Sequence, residues 1–131
     1  MDRTGRMASF ALGAAAIAGG AALLARRSHV ADRERFRDQV IVVVGGSRGL
    51  GFALAEDLAR GGARVTLAGR DPVTVERARA RLAEVGLAVD GVACDYRDRA
   101  EAEALVAHVE EHDGPIDVVI NDAGVIAVGS V

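Results

Sequence analysis

The stretch VVVGGSRGLGFALAEDLA, Val42 to Ala59, places four glycines, Gly45, Gly46, Gly49 and Gly51, within seven residues and directly behind a run of β-branched side chains. Val40 to Val44 are continuously apolar, which predicts a strand buried on both faces and hence a parallel sheet. From Leu50 the period changes: Leu50, Ala53, Leu54 and Leu58 recur at three- and four-residue spacing, with Glu56, Asp57 and Arg60 off that stripe. That pattern predicts an amphipathic helix. A strand, a glycine turn and a helix in this order leave the first N–H groups of the helix unpaired at the turn, with the positive end of the helix dipole behind them. Phosphate is the natural occupant.

The glycine spacing narrows which phosphate. Gly46 and Gly51 stand in G-x-x-x-x-G register, but Phe52 and Ala53 occupy the places where a P-loop needs lysine and a hydroxyl, and the chain has no lysine. The commonest dinucleotide fingerprint, G-x-G-x-x-G, also fails, because Gly49 and Gly51 are followed by Phe, Ala and Leu. What fits is G-x-x-x-G-x-G at Gly45, Gly49 and Gly51. A tight strand-to-helix connection without a ligand is the plain alternative.

Downstream the chain alternates. Arg64 to Ala68 reads as a second strand; Asp71-Pro72 reads as an N-cap with proline at the first helical position, opening a helix to about Val85. Leu87 to Cys94 predicts a third strand, Asp98 to about Glu111 a third helix, Gly114-Pro115 a turn, and Ile116 to Ile120 a fourth strand. This alternation predicts an α/β fold, a doubly wound parallel sheet of about four strands over residues 38–131. Ligands in such sheets bind outside the carboxyl ends of the strands.

Charge is uneven along the 131 residues, which sum to −3. Residues 1–37 carry seven arginines against three acids, and residues 38–131 nine arginines against sixteen acids. An acidic globular part argues against nucleic acid as a partner. Met7 to Ala25 is 19 residues without a charge, and at about 1.5 Å per residue a helix there covers most of a ~30 Å hydrocarbon core. Arg3 and Arg6 precede it, while Arg26, Arg27, Arg33, Arg35 and Arg37 follow. We therefore expect residues 1–37 to form an apolar helix with a basic linker, a membrane anchor that leaves the globular part on the cytoplasmic side. A cleaved signal peptide and a leader of a soluble cytoplasmic protein are the alternatives.

Two motifs invite over-reading. His108-Val-Glu-Glu-His112 spells H-x-x-E-H, an inverted zinc-protease pattern. The segment reads instead as an acidic, solvated helix face before a routine turn, so no metal is expected. Cys94, the one cysteine, reads as a buried small residue at a strand end.

Four motifs now fall in order at the ends of four successive strands: VGGSRGLG at Val44 to Gly51, AGRD at Ala68 to Asp71, CDY at Cys94 to Tyr96 and NDAG at Asn121 to Gly124. Together they resemble the N-terminal half of a short-chain dehydrogenase/reductase, a family with an NAD(P)-binding Rossmann fold. The resemblance covers residues 38–131, with Val44 where a threonine is common and Asp122 in place of the second Asn of N-N-A-G. It implies a dinucleotide cofactor held by Gly45, Ser47, Arg48, Gly49, Leu50 and Gly51 in the turn and by Arg70, Asp95, Tyr96, Asn121, Ala123 and Gly124 at the other strand ends. Gly45 makes the turn, Gly49 admits the pyrophosphate, whose oxygens meet the amides near Leu50, and Gly51 lets the helix pack. Asp95 accepts the adenine amino group, the Tyr96 backbone lies beside the ring, and Asn121, Ala123 and Gly124 line the ribose and nicotinamide side. An acid near the end of the second strand would select NAD(H); here that place is Gly69, followed by Arg70, with Arg48 in reach, which favours NADP(H).

In the family, the proton-donating tyrosine, its lysine and an orienting serine lie beyond the fourth strand. The only tyrosine here is Tyr96. Two classes are therefore expected: an NADP(H)-dependent oxidoreductase acting on an unknown small carbonyl or alcohol, of which this chain supplies the cofactor half and whose full-length form is a homo-oligomer, or a non-catalytic nucleotide-binding fragment.

Overall fold

The computed structural model describes residues 34–124; the apolar segment 7–25 and the basic linker up to Arg33 lie outside them. Strands β1 (Val40–Val44), β2 (Arg64–Gly69), β3 (Asp90–Ala93) and β4 (Val118–Asn121) alternate with helices α1 (Gly49–Arg60), α2 (Pro72–Glu84) and α3 (Arg99–Asp113). The sheet order is β3-β2-β1-β4, and every pairing is parallel. Consecutive β1 side chains point to opposite faces, and all five are buried because both faces are covered. Ile41 and Val43, with Val65 and Leu67 of β2, meet Ala55 of α1 and Ala78 and Leu82 of α2. Val40, Val42 and Val44, with Ala68, meet Leu105 and Val109 of α3 on the other side. The sheet is thus doubly wound.

Local chemistry sets the element ends. Asp71 caps α2 by accepting from the Val73 amide at 3.0 Å, ahead of Pro72 at the first helical position. Asp98 caps α3, accepting from the amides of Ala100 at 2.8 Å and Glu101 at 3.1 Å. β3 begins three residues later than the sequence pattern predicts, because Leu87 donates its amide to the Leu82 carbonyl to close α2, with Gly86 at φ +80°. Leu87 and Val89 still pack against the core without pairing. β4 is likewise shifted toward the cleft: Asp117 donates its amide to the Val40 carbonyl at 2.9 Å while its carboxylate accepts from the Val40 amide at 2.8 Å.

The buried face of α1 differs from the predicted stripe. Leu50 is 64% exposed and Ala53 is exposed, whereas Gly51 and Ala55 are buried and Phe52, Leu58 and Ala59 pack on the core. Small residues face the sheet because the helix lies close to the turn, and the larger Leu50 is turned outward. Among the described residues no helix is long and apolar enough to cross a membrane.

Leu67 is fully buried, and its Cδ2 lies where a Cβ on Gly46 would approach to 2.9 Å, so it supports the glycine turn from below. Leu67→Ala should lower stability by about 2–5 kcal/mol. Val119→Ala, at a side chain 60% exposed, should stay within about 0.5 kcal/mol. Urea unfolding midpoints of the two variants give the comparison.

Candidate functional site

The carboxyl ends of all four strands open onto one cleft of about 650 Å³, a size suited to a small-molecule ligand. Nine of the twelve residues singled out in the sequence line it: Gly45, Ser47, Arg48 and Gly49 from the β1–α1 turn, Arg70 after β2, Asp95 and Tyr96 after β3, and Ala123 and Gly124 after β4. Three do not. Leu50 directs its side chain to solvent, Gly51 is buried beneath the turn, and Asn121, the last residue of β4, accepts at Oδ1 from the Ala123 amide at 3.2 Å.

Each glycine of the turn answers a different demand. Gly45 sits at φ +81°, and a Cβ there would come within 2.9 Å of the Ala123 amide nitrogen. Gly51 faces the turn so closely that a Cβ would lie 2.3 Å from the Gly45 carbonyl oxygen. Gly49, at φ +56°, has open space where its Cβ would point.

The helix start is only partly capped. Arg48 stands at the N-cap and makes no side-chain cap bond. The third helical amide, that of Gly51, donates to Asp122 Oδ2 at 2.8 Å, and the fourth, of Phe52, donates to the Arg48 carbonyl at 3.2 Å. The amides of Gly49 and Leu50, the first two of the helix, have no intrahelical acceptor, and Gly49 lines the cleft. Asp122 also donates its amide to the Val44 carbonyl at 2.9 Å, so the residue that departs from N-N-A-G ties β1, β4 and α1 together.

At the end of β2, a Cβ on Gly69 would meet Val75 Cγ2 at 3.0 Å and Ser47 Oγ at 3.2 Å, so a side chain there asks both neighbours to shift by a few tenths of an ångström. Asp71 is the nearest acid in sequence, and both its oxygens are engaged: Oδ1 accepts from the Val73 amide and Oδ2 from the Thr74 hydroxyl. The Thr74 hydroxyl, the Val73 amide and the nearby Arg48 charge hold its carboxyl below the ordinary range. Among the described residues, no carboxylate lies within ion-pair distance of Arg48 or Arg70.

At the end of β3, Asp95 is forked by Arg97, a partner that the sequence reading does not assign to it. Arg97 Nε donates to Oδ1 at 2.9 Å and Nη2 to Oδ2 at 2.7 Å, while the Arg97 amide donates to Oδ1 at 3.1 Å. The fork, then the amide, and the more distant Arg70 charge lower the Asp95 pKa to about 2. Because the folded value lies below the ordinary one, the pairing is complete above the ordinary carboxylate range and is lost as pH falls toward about 2. Arg97 and Thr74 are site-lining residues that motif reading passes over; the Asp-x-Arg spacing of an Asx turn is the signal for the first.

The remaining motif residues have local partners. His108 is half-buried, its Nε2 lying 2.6 Å from Asp90 Oδ2, and His112 Nδ1 lies 2.7 Å from the His108 carbonyl oxygen. His108 therefore joins α3 to β3 instead of lying on a solvated face. Cys94 is buried, and burial pushes its thiol pKa up.

The short chain dehydrogenase family model matches residues 39–131. The chain belongs to this family. It is 42% identical over 88 residues to the human protein "Dehydrogenase/reductase SDR family member 2, mitochondrial", a match that covers 67% of this chain and 31% of that one. It is 37% identical over 89 residues to a sorbitol dehydrogenase of Cereibacter sphaeroides, covering 68% of this chain and 34% of that protein. Among solved structures, an actinorhodin polyketide ketoreductase variant with NADPH superposes with a TM-score of 0.67 at 38% identity, over 70% of this chain and 35% of its own. The chain thus spans about a third of the length of these relatives.

The turn geometry separates two glycines by mechanism. Gly51→Ala drives a Cβ into backbone and should cost about 1–3 kcal/mol or more. Gly49→Ala meets nothing and carries only left-handed strain, about 1–2 kcal/mol. Thermal melts should rank Gly51→Ala as the more damaging.

Proposed function

We propose that this chain is the cofactor-binding half of an NADP(H)-dependent short-chain oxidoreductase whose substrate is a small carbonyl compound or the corresponding alcohol. The observation that carries the preference for NADP(H) is the end of β2: Arg48 and Arg70 line the cleft with Gly69, which offers no carboxylate at that place. A 2′-phosphate is dianionic and planar guanidinium groups match its oxygens, whereas a 2′-hydroxyl calls for a carboxylate acceptor. The ketoreductase relative contains NADPH in its solved structure, which supports the same reading.

The residues fit the group. The open space above Gly49, the amides of Gly49 and Leu50 and the dipole of α1 suit a pyrophosphate. With the strands ordered β3-β2-β1-β4, an adenosine half extends toward Arg70 and Asp95, and a nicotinamide half toward Ala123 and Gly124. When bound, the nicotinamide supplies or takes the hydride; these residues bind, orient and neutralise.

A non-catalytic dinucleotide-binding module is the second reading. Tyr96, the only tyrosine, stands after β3, two strands away from β1 and three from β4 in the sheet order, remote from the nicotinamide side. Tyr96 is therefore not placed to donate a proton on the nicotinamide side.

Calorimetric titration of the full chain should show NADPH binding at least tenfold tighter than NADH, since each charge-assisted hydrogen bond contributes about 1.5–3 kcal/mol. Arg48→Ala and Arg70→Ala should each weaken NADPH by roughly tenfold or more while leaving NADH unchanged. Equal affinities in the wild type would reject the preference, and no binding of either would reject the dinucleotide reading.

We also propose that the uncharged segment 7–25 anchors the chain in a membrane with the globular part on the cytoplasmic side, on the support of its length and the arginines that follow it. Full-length protein in membranes should resist alkaline carbonate extraction and be released by detergent. Recovery in the soluble fraction with an intact N-terminus would reject the anchor.

A further inference from the structure

We propose that Arg97 is a positioning residue for base recognition: its fork on Asp95 fixes the carboxylate that reads the purine of the dinucleotide. The inference rests on the dinucleotide reading above.

The sheet order assigns the ends of the cleft. With a pyrophosphate over Gly49 at β1 and a 2′-phosphate beside Arg70 at β2, the purine is carried on in the same direction to the end of β3. There the carboxylate of Asp95 is an acceptor only. It can face an exocyclic amine such as that of adenine, whereas the 6-oxo group of hypoxanthine would set oxygen against oxygen.

An exposed aspartate on a loop is free to rotate, and a rotating acceptor discriminates poorly. Here the carboxylate plane is fixed by three donors from one residue, Nε, Nη2 and the amide of Arg97. The backbone is held as well: the Asp95 amide donates to Glu101 Oε2 at 2.7 Å, and its carbonyl accepts from the Asp98 amide at 2.9 Å. Oδ1 takes two donors, Nε and the amide, while Oδ2 takes only Nη2 and keeps a lone pair for the base. The pair also neutralises a carboxylate that shares the cleft with the phosphate-facing Arg70. An exposed ion pair contributes little to stability. The fork therefore matters through geometry and local charge.

The test titrates the full chain with NADPH and with nicotinamide hypoxanthine dinucleotide phosphate. The wild type should prefer the adenine form by roughly tenfold or more, as expected for a hydrogen bond to a charged group. Arg97→Met should bring the two affinities close together. Arg97→Lys, which keeps the charge but not the planar fork, should hold NADPH better than Arg97→Met and still fail to restore the preference. On an Asp95→Asn background, Arg97→Met should leave the ratio where it is. A wild-type ratio that survives Arg97→Met, or that survives Asp95→Asn, overturns the proposal while leaving dinucleotide binding intact. Failure of the wild type to bind either nucleotide overturns the dinucleotide reading and this inference together.

Discussion

Bringing the first turn of α1 against the Gly45 carbonyl requires a residue without a side chain at position 51, because a Cβ there would lie 2.3 Å from that oxygen. Much else follows from this approach. It rotates α1 so that Gly51 and Ala55 face the sheet and Leu50 faces solvent, and it carries the helix start to the carboxyl end of β1. It also brings the Gly51 amide within reach of Asp122 beyond β4, so that one carboxylate ties the helix to a strand that is distant in sequence. The helix start, with its first amides and the positive end of its dipole, thus stands at the carboxyl end of β1, where Gly49 lines the cleft.

The cleft is balanced in charge where the domain around it is acidic: Arg48, Arg70 and Arg97 stand with Asp71, Asp95 and Asp122. Residues 38–131 carry many more acids than arginines, yet the three aspartates that line the cleft all have partners within the fold. Asp71 caps α2, Asp95 is forked by Arg97, and Asp122 accepts the Gly51 amide. Arg48 and Arg70 have no such commitment among the described residues. The charge of the whole domain therefore misjudges the field a ligand would meet, because arginines and aspartates are equal in number along the cleft.

Elements whose signals are local were legible in the chain. The five-residue apolar run of β1 announces burial on both faces, and Asp71-Pro72 and Asp98 announce helix starts through capping chemistry that needs no tertiary partner. The glycine spacing located the cleft for the same reason, since φ and close approach are backbone properties. What the pattern missed depends on long-range contacts. The periodicity of α1 put Leu50 and Ala53 on the buried stripe with Leu58, but only Leu58 of these packs on the core, because the close approach to Gly45 turns Gly51 and Ala55 inward and Leu50 outward. The late start of β3 reflects competition for one amide: Leu87 closes α2 before it can join a ladder. The fork of Arg97 on Asp95 spans only two residues, yet motif reading assigns Asp95 and stops there.

Asp122 shows how a departure from the family pattern can be accommodated. An asparagine at this position would accept the same amide, so the hydrogen bond to Gly51 does not by itself demand a charge. A carboxylate makes the bond charge-assisted and places an anion at the positive end of α1, which favours the helix. The opposing effect is repulsion toward any phosphate bound at the Gly49 and Leu50 amides. Asp122 takes the amide of the buried Gly51 and not those of Gly49 and Leu50, while the residue itself lines the same cleft as Gly49. The charge that favours the helix is thus the charge a bound phosphate would have to tolerate.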